Sequence, residues 1–356
     1  MMRALTVTPK VPNSAKLVHL PDPKPGADDV LVRVLQVGVC GTDKEILAGL
    51  YGEAPPGEGS LILGHESFGQ VQQVGRNVAS LRVGDYVVAT VRRPDDCLNC
   101  QRGETDMCLK GNYTERGIKG QHGYMANYYC EKPEYLIKVP EKLRHVGVLA
   151  EPLSIVEKAA FHIFQIQKRL QWEPRRGLVL GAGPIGILAA AVLVSRGLET
   201  FAAATTPKDR PRVQVLKRMG IAYLNVHEDP IADMPARLGN IDVIVEATGS
   251  SSVAFEAMSI LGVNGVLCLT GVSAGNKEIN IPTDCLNLGI VLGNKTIFGT
   301  VNANKRDWQR AIQDMALFET LWPGALSDMI TRRVPLEDFA EAVERKPYDI
   351  KAVLEI

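Results

Sequence analysis

Hydrophobic and polar positions follow two different patterns along the chain. From residue 3 to residue 139, short β-branched runs such as 30–35 and 86–91 stand between turns rich in glycine and proline, which is typical of β-strands joined by loops. After about residue 151, short apolar runs alternate with helical patterns. Alternating strands and helices predict βαβ units and a parallel sheet.

The apolar runs predict where the strands of that parallel sheet lie: 177–180, 200–204, 222–226, 241–246, 266–270 and 296–299. Helical patterns return at 308–318 and 336–343, and residues 350–356 predict a last strand. The expected fold is therefore α/β, with a doubly wound parallel sheet inserted into a β-rich domain. We place the β-rich domain at 1–154 and 303–356 and the α/β domain at 155–302.

A glycine-rich turn follows the first predicted strand of the α/β domain. Gly181, Gly183 and Gly186, with Pro184 and Ile185 between them, form the spacing G-x-G-x-x-G at the start of an Ala-rich helix. Glycines allow a tight turn and a close approach of the backbone to a pyrophosphate, and the helix N-terminus supplies free N–H groups. The pattern predicts dinucleotide binding, and the alternative is a glycine turn in an unrelated α/β protein.

Coenzyme choice is normally set at the tip of the next strand, about 20 residues further on. Thr205 and Thr206 stand there, followed by Lys208 and Arg210, with no carboxylate to bind a free ribose 2′-hydroxyl. This favours a 2′-phosphate and hence NADP, with NAD also usable. The alternative is that Lys208 and Arg210 only cap a solvated helix start.

A candidate metal site combines residues from three segments. His65 and Glu66 lie in the string Gly-His-Glu with glycines at 69 and 75, Cys40 lies upstream, and Glu151 lies downstream. Cys40, His65 and one or two carboxylates can form a mixed sulfur, nitrogen and oxygen set that leaves a position for water or substrate, as catalytic zinc requires. Together these motifs resemble the zinc-dependent branch of the medium-chain dehydrogenase/reductases.

Three further cysteines, Cys97, Cys100 and Cys108, lie in a polar loop and resemble the structural-zinc lobe of the same family. That lobe usually carries four cysteines. The first is missing here, and Asp95 or Asp96 stands near its place. Either the lobe binds a second zinc ion, or it orders without metal.

The composition limits the classes of partner that the protein is expected to bind. The 356 residues carry 40 basic and 40 acidic side chains, so the basic excess usual for nucleic-acid binders is missing. The apolar stretch 177–194 is interrupted by glycines and a proline, which predicts no membrane span. With seven cysteines and no apolar leader at its start, the chain is expected in the reducing cytoplasm.

Within this superfamily, the whole chain resembles the glucose dehydrogenases of archaea and some bacteria, through segments 91–94, 114–125, 151–158, 299–302 and 350–351. The resemblance implies a GroES-like catalytic domain in the β-rich part and a Rossmann domain for the coenzyme. It implies zinc ligation by Cys40, His65, Glu66 and Glu151, a catalytic role for Thr42, and sugar contacts from Thr42, Glu115, Glu151 and Asn302. It further implies that the coenzyme is lined by Gly271, Val272, Ser273, Val301, Asn302 and Lys351.

The implied activity is zinc-dependent oxidation of D-glucose to glucono-1,5-lactone with hydride transfer to NAD(P)⁺, in a homo-dimer or homo-tetramer. Relatives that prefer NADP tend to carry an Arg-Arg pair where this chain has Thr205 and Thr206, so the preference is expected to be modest. Two alternatives remain open. One is a zinc polyol or secondary-alcohol dehydrogenase of the sorbitol or threonine type, and the other is a non-catalytic, dehydrogenase-like structural protein or nucleotide sensor.

Overall fold

The computed structural model describes residues 1–273, 275–344 and 346–356. The described chain divides into two units. The β-rich unit comprises Met1–Ser154, Asn302–Ala316 and Ile330–Ile356, and the α/β unit comprises Ile155–Val301 and Leu317–Met329. The predicted division differs from these bounds mainly at 317–329, which packs with the α/β unit.

The β-rich unit is built around a seven-stranded sheet in the order β11-β6-β5-β3-β19-β18, with β10 also paired to β3. All its pairs are antiparallel except β18 with β19. Its strands are β3 Val30–Val39, β5 Glu66–Val74, β6 Tyr86–Ala89, β10 Tyr128–Glu131, β11 Leu136–Val139, β18 Ile330–Pro335 and β19 Lys351–Glu355. The central strand β3 therefore carries neighbours from both ends of the sequence.

Two three-stranded sheets complete the strands of this unit. The first contains β1 Met2–Val7, β2 Lys16–Leu20 and β4 Leu61–Ile62, and the second contains β7 Arg92–Arg93, β8 Thr114–Arg116 and β9 Gly120–Gln121. Its short helices are α1 Gly41–Leu47, α2 Leu98–Gln101 and α11 Phe339–Val343. The longer α3 Ala150–Ile166 and α9 Lys305–Leu321 each begin in the β-rich unit and continue into the α/β unit.

The α/β unit contains a six-stranded sheet in the order β14-β13-β12-β15-β16-β17, and every pair is parallel. The strands are β12 Arg176–Leu180, β13 Glu199–Ala204, β14 Ala222–Asn225, β15 Val243–Glu246, β16 Val266–Leu269 and β17 Thr296–Gly299. The helices are α4 Pro184–Ser195, α5 Pro211–Arg218, α6 Met234–Leu238, α7 Ser251–Ile260, α8 Thr283–Leu292 and α10 Ala325–Met329. This is the order 3-2-1-4-5-6 of a dinucleotide-binding fold, whose ligands bind where the strand order reverses.

Burial explains why the strands and the first helix of the α/β unit have apolar sequences. Strands covered on both faces read as continuous apolar runs, and residues 178–180 are almost fully buried. Helix α4 is apolar on all sides because its residues 186–193 are all buried. The predicted α/β fold is confirmed, and each of the six predicted strands is present. None of the helices in the described ranges is long and apolar enough to cross a membrane.

Candidate metal and coenzyme sites

The candidate metal site begins where β3 ends. Cys40 follows Val39 and caps α1: its Sγ accepts a hydrogen bond from the N–H of Thr42 (3.2 Å), and its own N–H donates to the carboxylate of Asp43 (2.9 Å). His65 immediately precedes β5, and its Nε2 lies 3.1 Å from Sγ of Cys40. Because β3 and β5 are paired, Cys40 and His65 meet at one end of the sheet.

Asp43 lies next to Nδ1 of His65. The carboxylate is fully buried, and its Oδ1 lies 3.5 Å from Nδ1 of His65. Burial lowers the pKa of His65, but the negative charges of Cys40 and Asp43 outweigh burial and raise it well above its usual 6.5. A carboxylate behind Nδ1 leaves Nε2 as the ring atom available to a metal, an arrangement common behind metal-binding histidines.

Glu66 and Glu151 bring two more buried carboxyl groups to His65. One ligand atom from each of His65, Glu66 and Glu151 lies within 4.8 Å of the others. Glu151 stands in the first turn of α3. Burial, followed by the charge of Glu66, raises the pKa of Glu151 to about 7. Two carboxyl groups so placed favour a shared proton or a cation.

Lys351 forms a buried ion pair with Glu66. Its side chain is only 3% exposed, and burial alone would lower its pKa, but Glu66 and Cys40 raise it. Gly38 on β3 makes room for the pair, since any side chain there would overlap the Glu66 carboxylate. The structure thus places Lys351 beside the candidate metal ligands in the β-rich unit, and its contact with the coenzyme stays a prediction.

The donor chemistry fits zinc. Cys40, His65, Glu66 and Glu151 supply one sulfur, one nitrogen and carboxylate oxygens, the ligand types that zinc takes in catalytic sites. Cys40, Glu66 and Glu151 each place a donor atom near His65, and the four residues come from three segments of one unit. Uncompensated acidic groups in a buried position cost free energy, and a divalent cation would offset that cost.

A second polar cluster contains Glu115 and Asn302, which are 187 positions apart. Asn302 has a left-handed backbone (φ 60°), and its Nδ2 donates to Oε1 of Glu115 (2.8 Å). Arg92, the register partner of Glu115 on β7, donates to the same oxygen from Nε (3.1 Å) and Nη2 (3.0 Å). The structure therefore brings the two predicted sugar contacts together. Within the described residues, no hydrogen bond joins this cluster to the candidate zinc ligands.

The cysteine lobe forms a third cluster. Asp95, Cys97, Cys100 and Cys108 place one donor atom each within 4.8 Å of the others. Oδ2 of Asp95 accepts from Sγ of Cys108 (3.0 Å), and the thiols hold the pKa of Asp95 far below its usual value, whereas Asp96 pairs with Lys110 (2.9 Å). Of the two candidate acids, Asp95 is the one that joins the cysteines.

The glycine turn has the geometry that its sequence predicts. Gly181 follows β12 with φ 114°, a conformation that favours glycine. Any side chain at Gly186 would overlap the carbonyl of Gly181, whereas a Cβ at Gly183 would meet nothing within 4 Å. Gly183 caps α4 without a side-chain hydrogen bond, and Pro184 opens the helix. There is thus open space next to Gly183 at the start of α4, and the N–H groups of a helix N-terminus are suited to binding a pyrophosphate.

The tip of β13 carries the residues predicted to select the coenzyme. Thr205 is exposed, and the carbonyl of Thr206 accepts from the hydroxyl of Tyr223. Lys208 is paired with Glu228, so part of its charge is neutralised. Arg210 lies 3.9 Å from Asp209. The tip of β13 thus presents the hydroxyls of Thr205 and Thr206 and a lysine whose charge is partly neutralised by Glu228. These groups can attract a 2′-phosphate only weakly.

The remaining predicted coenzyme contacts follow β16 and β17. Gly271 packs against the backbone of Gly249, and the hydroxyl of Ser273 donates to the Gly249 carbonyl (2.7 Å). Val272 and Val301 are exposed, although the carbonyl of Val301 accepts from the buried Lys158 (2.8 Å). These segments lie beyond carboxyl ends of the parallel strands, where ligands of this fold bind.

Three features escaped the sequence analysis. Asp43 sits three positions after Cys40, and that spacing of a capping box could have indicated it. Arg92 pairs with Glu115 across a strand pair whose register no local pattern fixes. The contact of Lys351 with Glu66 spans 285 positions, and the sequence carries no signal for it.

Comparisons with known proteins agree with this architecture. Residues 26–141 match the family model described as alcohol dehydrogenase GroES-like domain, and residues 144–356 match the one described as glucose dehydrogenase C-terminus. The fold and the clusters thereby define a medium-chain dehydrogenase/reductase. At 48% identity, the chain is similar to the glucose 1-dehydrogenase of Methanocella arvoryzae over 100% of its own length and 99% of the relative's. The chain belongs to the glucose dehydrogenase family.

A second relative, the glucose 1-dehydrogenase of Thermoproteus tenax, is 42% identical over 100% of this chain and 99% of its own length. Solved structures show the same fold. Glucose dehydrogenase from Haloferax mediterranei, in complex with NADP, Zn and gluconolactone, is 32% identical with a TM-score of 0.91, covering 99% of both chains. The 2R,3R-butanediol dehydrogenase of Bacillus subtilis, at 23% identity and a TM-score of 0.81, shares the fold alone.

Proposed function

We propose that this chain is a zinc-dependent glucose 1-dehydrogenase, which oxidises D-glucose at C1 to glucono-1,5-lactone and transfers the hydride to NADP⁺ or NAD⁺. The observation that carries the proposal is that Cys40 on one side, and Glu66 with Glu151 on the other, place donor atoms next to His65, in a chain that is similar to glucose dehydrogenases along its whole length. The β-rich unit would provide the catalytic residues, and the α/β unit would bind the coenzyme.

In this proposal Cys40 and His65 hold the metal, and Glu66 and Glu151 complete its ligands or alternate in that role. When bound, zinc supplies Lewis-acid polarisation of the sugar's anomeric oxygen, and the nicotinamide supplies the hydride acceptor. Asp43 holds the His65 ring, and Lys351 holds the Glu66 carboxylate. Glu66 and Glu151, the two carboxylates next to His65, would pass the proton of the C1 hydroxyl outward.

Glu115 and Asn302 are proposed to hold the sugar. The hydrogen bond of Asn302 to Oε1 leaves Oε2 of Glu115 without a partner among the described residues, and a sugar hydroxyl can donate to it. Thr42, half-buried beside Cys40, would contact the sugar and relay the proton outward. A site built to pair substrate hydroxyls discriminates against analogues that lack them.

The cysteine lobe is proposed to hold a second zinc ion, with Asp95 as the fourth ligand. The support is the convergence of three cysteine sulfurs and one carboxylate, a closed set of the kind that structural zinc takes. Such an ion would contribute to folding rather than to turnover.

The proposed assembly is a homo-dimer or homo-tetramer in the cytoplasm, with a sugar as the substrate. Strand β17 is an edge strand, and α8 exposes Leu288, Val291 and Leu292. An exposed apolar face beside an open sheet edge favours a protein contact. The seven cysteines, all within the described ranges, are free thiols, in keeping with a reducing compartment.

Initial rates with glucose, galactose, xylose, sorbitol and threonine, each with NAD⁺ and NADP⁺, test the proposal. Glucose with NADP⁺ should give the highest kcat/KM. A preference for sorbitol or threonine would assign the chain to the polyol or secondary-alcohol dehydrogenases. Removing the metal with a chelator should abolish turnover and adding zinc should restore it, whereas a structural protein would show no turnover in either state.

A further inference from the structure

Arg92 is a buried arginine that the reaction proposed above does not use. It lies on β7, its side chain is 5% exposed, and its guanidinium stacks 3.6 Å from the ring centroid of Tyr113. Nη1 donates to the backbone carbonyl of Asp106 (3.1 Å), within the turn that leads to Cys108. The guanidinium is therefore fixed by a ring on one face and by a carbonyl at one edge.

The other edge of the guanidinium faces Glu115. Nε and Nη2 both donate to Oε1, and Nδ2 of Asn302 donates to the same atom, so three hydrogen bonds end on one carboxylate oxygen. The other oxygen, Oε2, accepts no hydrogen bond from the described residues. The carboxylate of Glu115 therefore has one oxygen held by three donors and a second oxygen that can accept a hydrogen bond from a bound ligand.

We propose that Arg92 is a positioning residue that anchors Oε1 of Glu115 and thereby presents Oε2 as the acceptor for a hydroxyl of the sugar. The inference rests on the proposed function, because it takes Glu115 as a sugar contact. A planar guanidinium can reach Oε1 with two donors and the Asp106 carbonyl with a third at the same time. A lysine in its place keeps the charge, but its single ammonium cannot span both partners.

The test compares four purified variants with the wild type, using glucose or whichever substrate of the panel is best. Arg92→Lys should raise the KM for the sugar by about tenfold, the low end for losing a well-placed hydrogen bond to a charged group, with little change in kcat or in the coenzyme KM. Glu115→Gln should raise the sugar KM at least as much. The double variant should be no worse than Glu115→Gln alone, since Arg92 acts through Glu115.

Arg93→Lys is the matched control, because Arg93 is the neighbour of Arg92 on β7, equally buried, but paired with Glu131 and Tyr124. It should lower the melting temperature without changing the sugar KM. If Arg92→Lys does not fold, Tyr113→Leu removes the stacking ring and should raise the sugar KM, whereas Tyr113→Phe keeps the ring and should not.

The outcomes separate this inference from the proposed function. An unchanged sugar KM in Arg92→Lys, or effects of Arg92→Lys and Glu115→Gln that add in full, would overturn the positioning role while the glucose activity stands. An unchanged sugar KM in Glu115→Gln would overturn both the role of Glu115 and that of Arg92. A wild type without turnover on any substrate of the panel would overturn the proposed function and this inference with it. That result concerns the wild type alone, so it is distinguishable from any result obtained with the Arg92 variants.

Discussion

His65 illustrates how single side chains are set up for chemistry in this protein. Its ring lies between Sγ of Cys40 at Nε2 and the carboxylate of Asp43 at Nδ1. In the proposed zinc site, Nδ1 would face the carboxylate that orients the ring, and Nε2 would bind the metal. The consequence is that the ligand geometry depends on α1, whose cap is Cys40 itself.

Replacing either of the two central ligands should remove activity without unfolding the protein. We expect Cys40→Ser and His65→Ala to abolish turnover and to lose zinc, with coenzyme binding kept, because the glycine turn at 181–186 belongs to the other unit. Metal content, coenzyme fluorescence titration and kcat check this. Cys130→Ser, a half-buried cysteine outside the candidate ligands, is the control. Wild-type rates in a zinc-free Cys40→Ser or His65→Ala protein would refute the catalytic-zinc site.

The metal-free protein should lose stability as the pH rises from about 5 to about 8. The pKa of Glu151 is raised from 4.5 to about 7, so the stability that its protonated form contributes is present below 4.5 and is lost as the pH rises through about 7. His65, raised above 6.5, contributes below 6.5 and loses its contribution as the pH rises through its folded pKa. Carboxylates whose pKa is lowered, such as Asp29 and Asp85, take up protons on folding or unfolding only below about pH 3.8. They therefore do not change stability between about pH 5 and about pH 8.

Zinc should reverse this trend, since its ligands must release their protons before they bind it. Melting temperatures of chelated and zinc-loaded protein should therefore differ more at about pH 8 than at about pH 5.5. Glu151→Gln should flatten the slope of the metal-free protein. A zinc effect that shrinks with rising pH would contradict the assignment of these residues as ligands.

At the scale of elements, the candidate functional residues are concentrated where strands end. The glycine turn follows β12, the threonine pair follows β13, and Cys40 follows β3. Backbone N–H groups and side chains at such ends are free of the sheet ladder and can turn to a ligand. The carboxyl ends of neighbouring parallel strands also meet at one edge of the sheet, which gathers contacts from distant parts of the sequence.

The end of β13 should set a modest preference for NADP⁺ over NAD⁺. Hydroxyls and a lysine already paired with Glu228 give a weak hydrogen bond to a charged group, about 1.5 kcal/mol, which corresponds to about tenfold in kcat/KM. Thr205→Asp should reverse the preference by repelling the 2′-phosphate and binding the ribose hydroxyl, and the neutral Thr205→Asn should not. A wild type that prefers NAD⁺, or an unmoved ratio in Thr205→Asp, would show that the selector lies elsewhere.

The cysteine lobe should behave as a structural element. If it holds zinc, Cys97→Ser should lower both the zinc content and the melting temperature, by at least about 3 °C, because a structural ion contributes directly to folding free energy. Cys97 also caps α2, and its Sγ accepts from the N–H of Cys100 (3.5 Å). Cys130→Ser again serves as the control. An unchanged melting temperature together with an unchanged zinc content would retire the second site.

At the scale of the whole molecule, the candidate zinc ligands and the glycine turn lie in different units. Every candidate zinc ligand lies in the β-rich unit, and the glycine turn and the threonine pair lie in the α/β unit. The likeness to glucose dehydrogenases covers both units at their full length. Formal charge is balanced, so association with like copies is not opposed by net repulsion.

A charge on the exposed face of α8 should disrupt the proposed assembly. We expect Leu288→Glu to give a smaller species than the wild type in sedimentation experiments, because the substitution places a carboxylate on an apolar contact surface. Val83→Glu, on an equally exposed valine of the β-rich unit, is the control and should keep the wild-type size. A wild-type sedimentation coefficient in Leu288→Glu would exclude this face from the interface.

The sequence by itself determined those features that depend on short-range patterns. Apolar runs and helical periods predicted all six parallel strands, since side-chain period follows directly from backbone geometry. The glycine spacing 181–186 predicted its turn because the backbone of Gly181 favours glycine and a side chain at Gly186 would overlap the Gly181 carbonyl. The string around His65 predicted a metal ligand, and the donor cluster in the structure includes it.

Only the tertiary structure decided which distant groups meet. It placed Asp95 rather than Asp96 among the cysteines, paired Lys351 with Glu66, and joined Arg92 and Asn302 on one oxygen of Glu115. It also placed residues 317–329 with the α/β unit. These contacts depend on strand register and on the packing of elements far apart in sequence, which no local pattern encodes. The raised pKa of Glu151 has the same origin, because burial and a neighbouring charge exist only once the chain has folded.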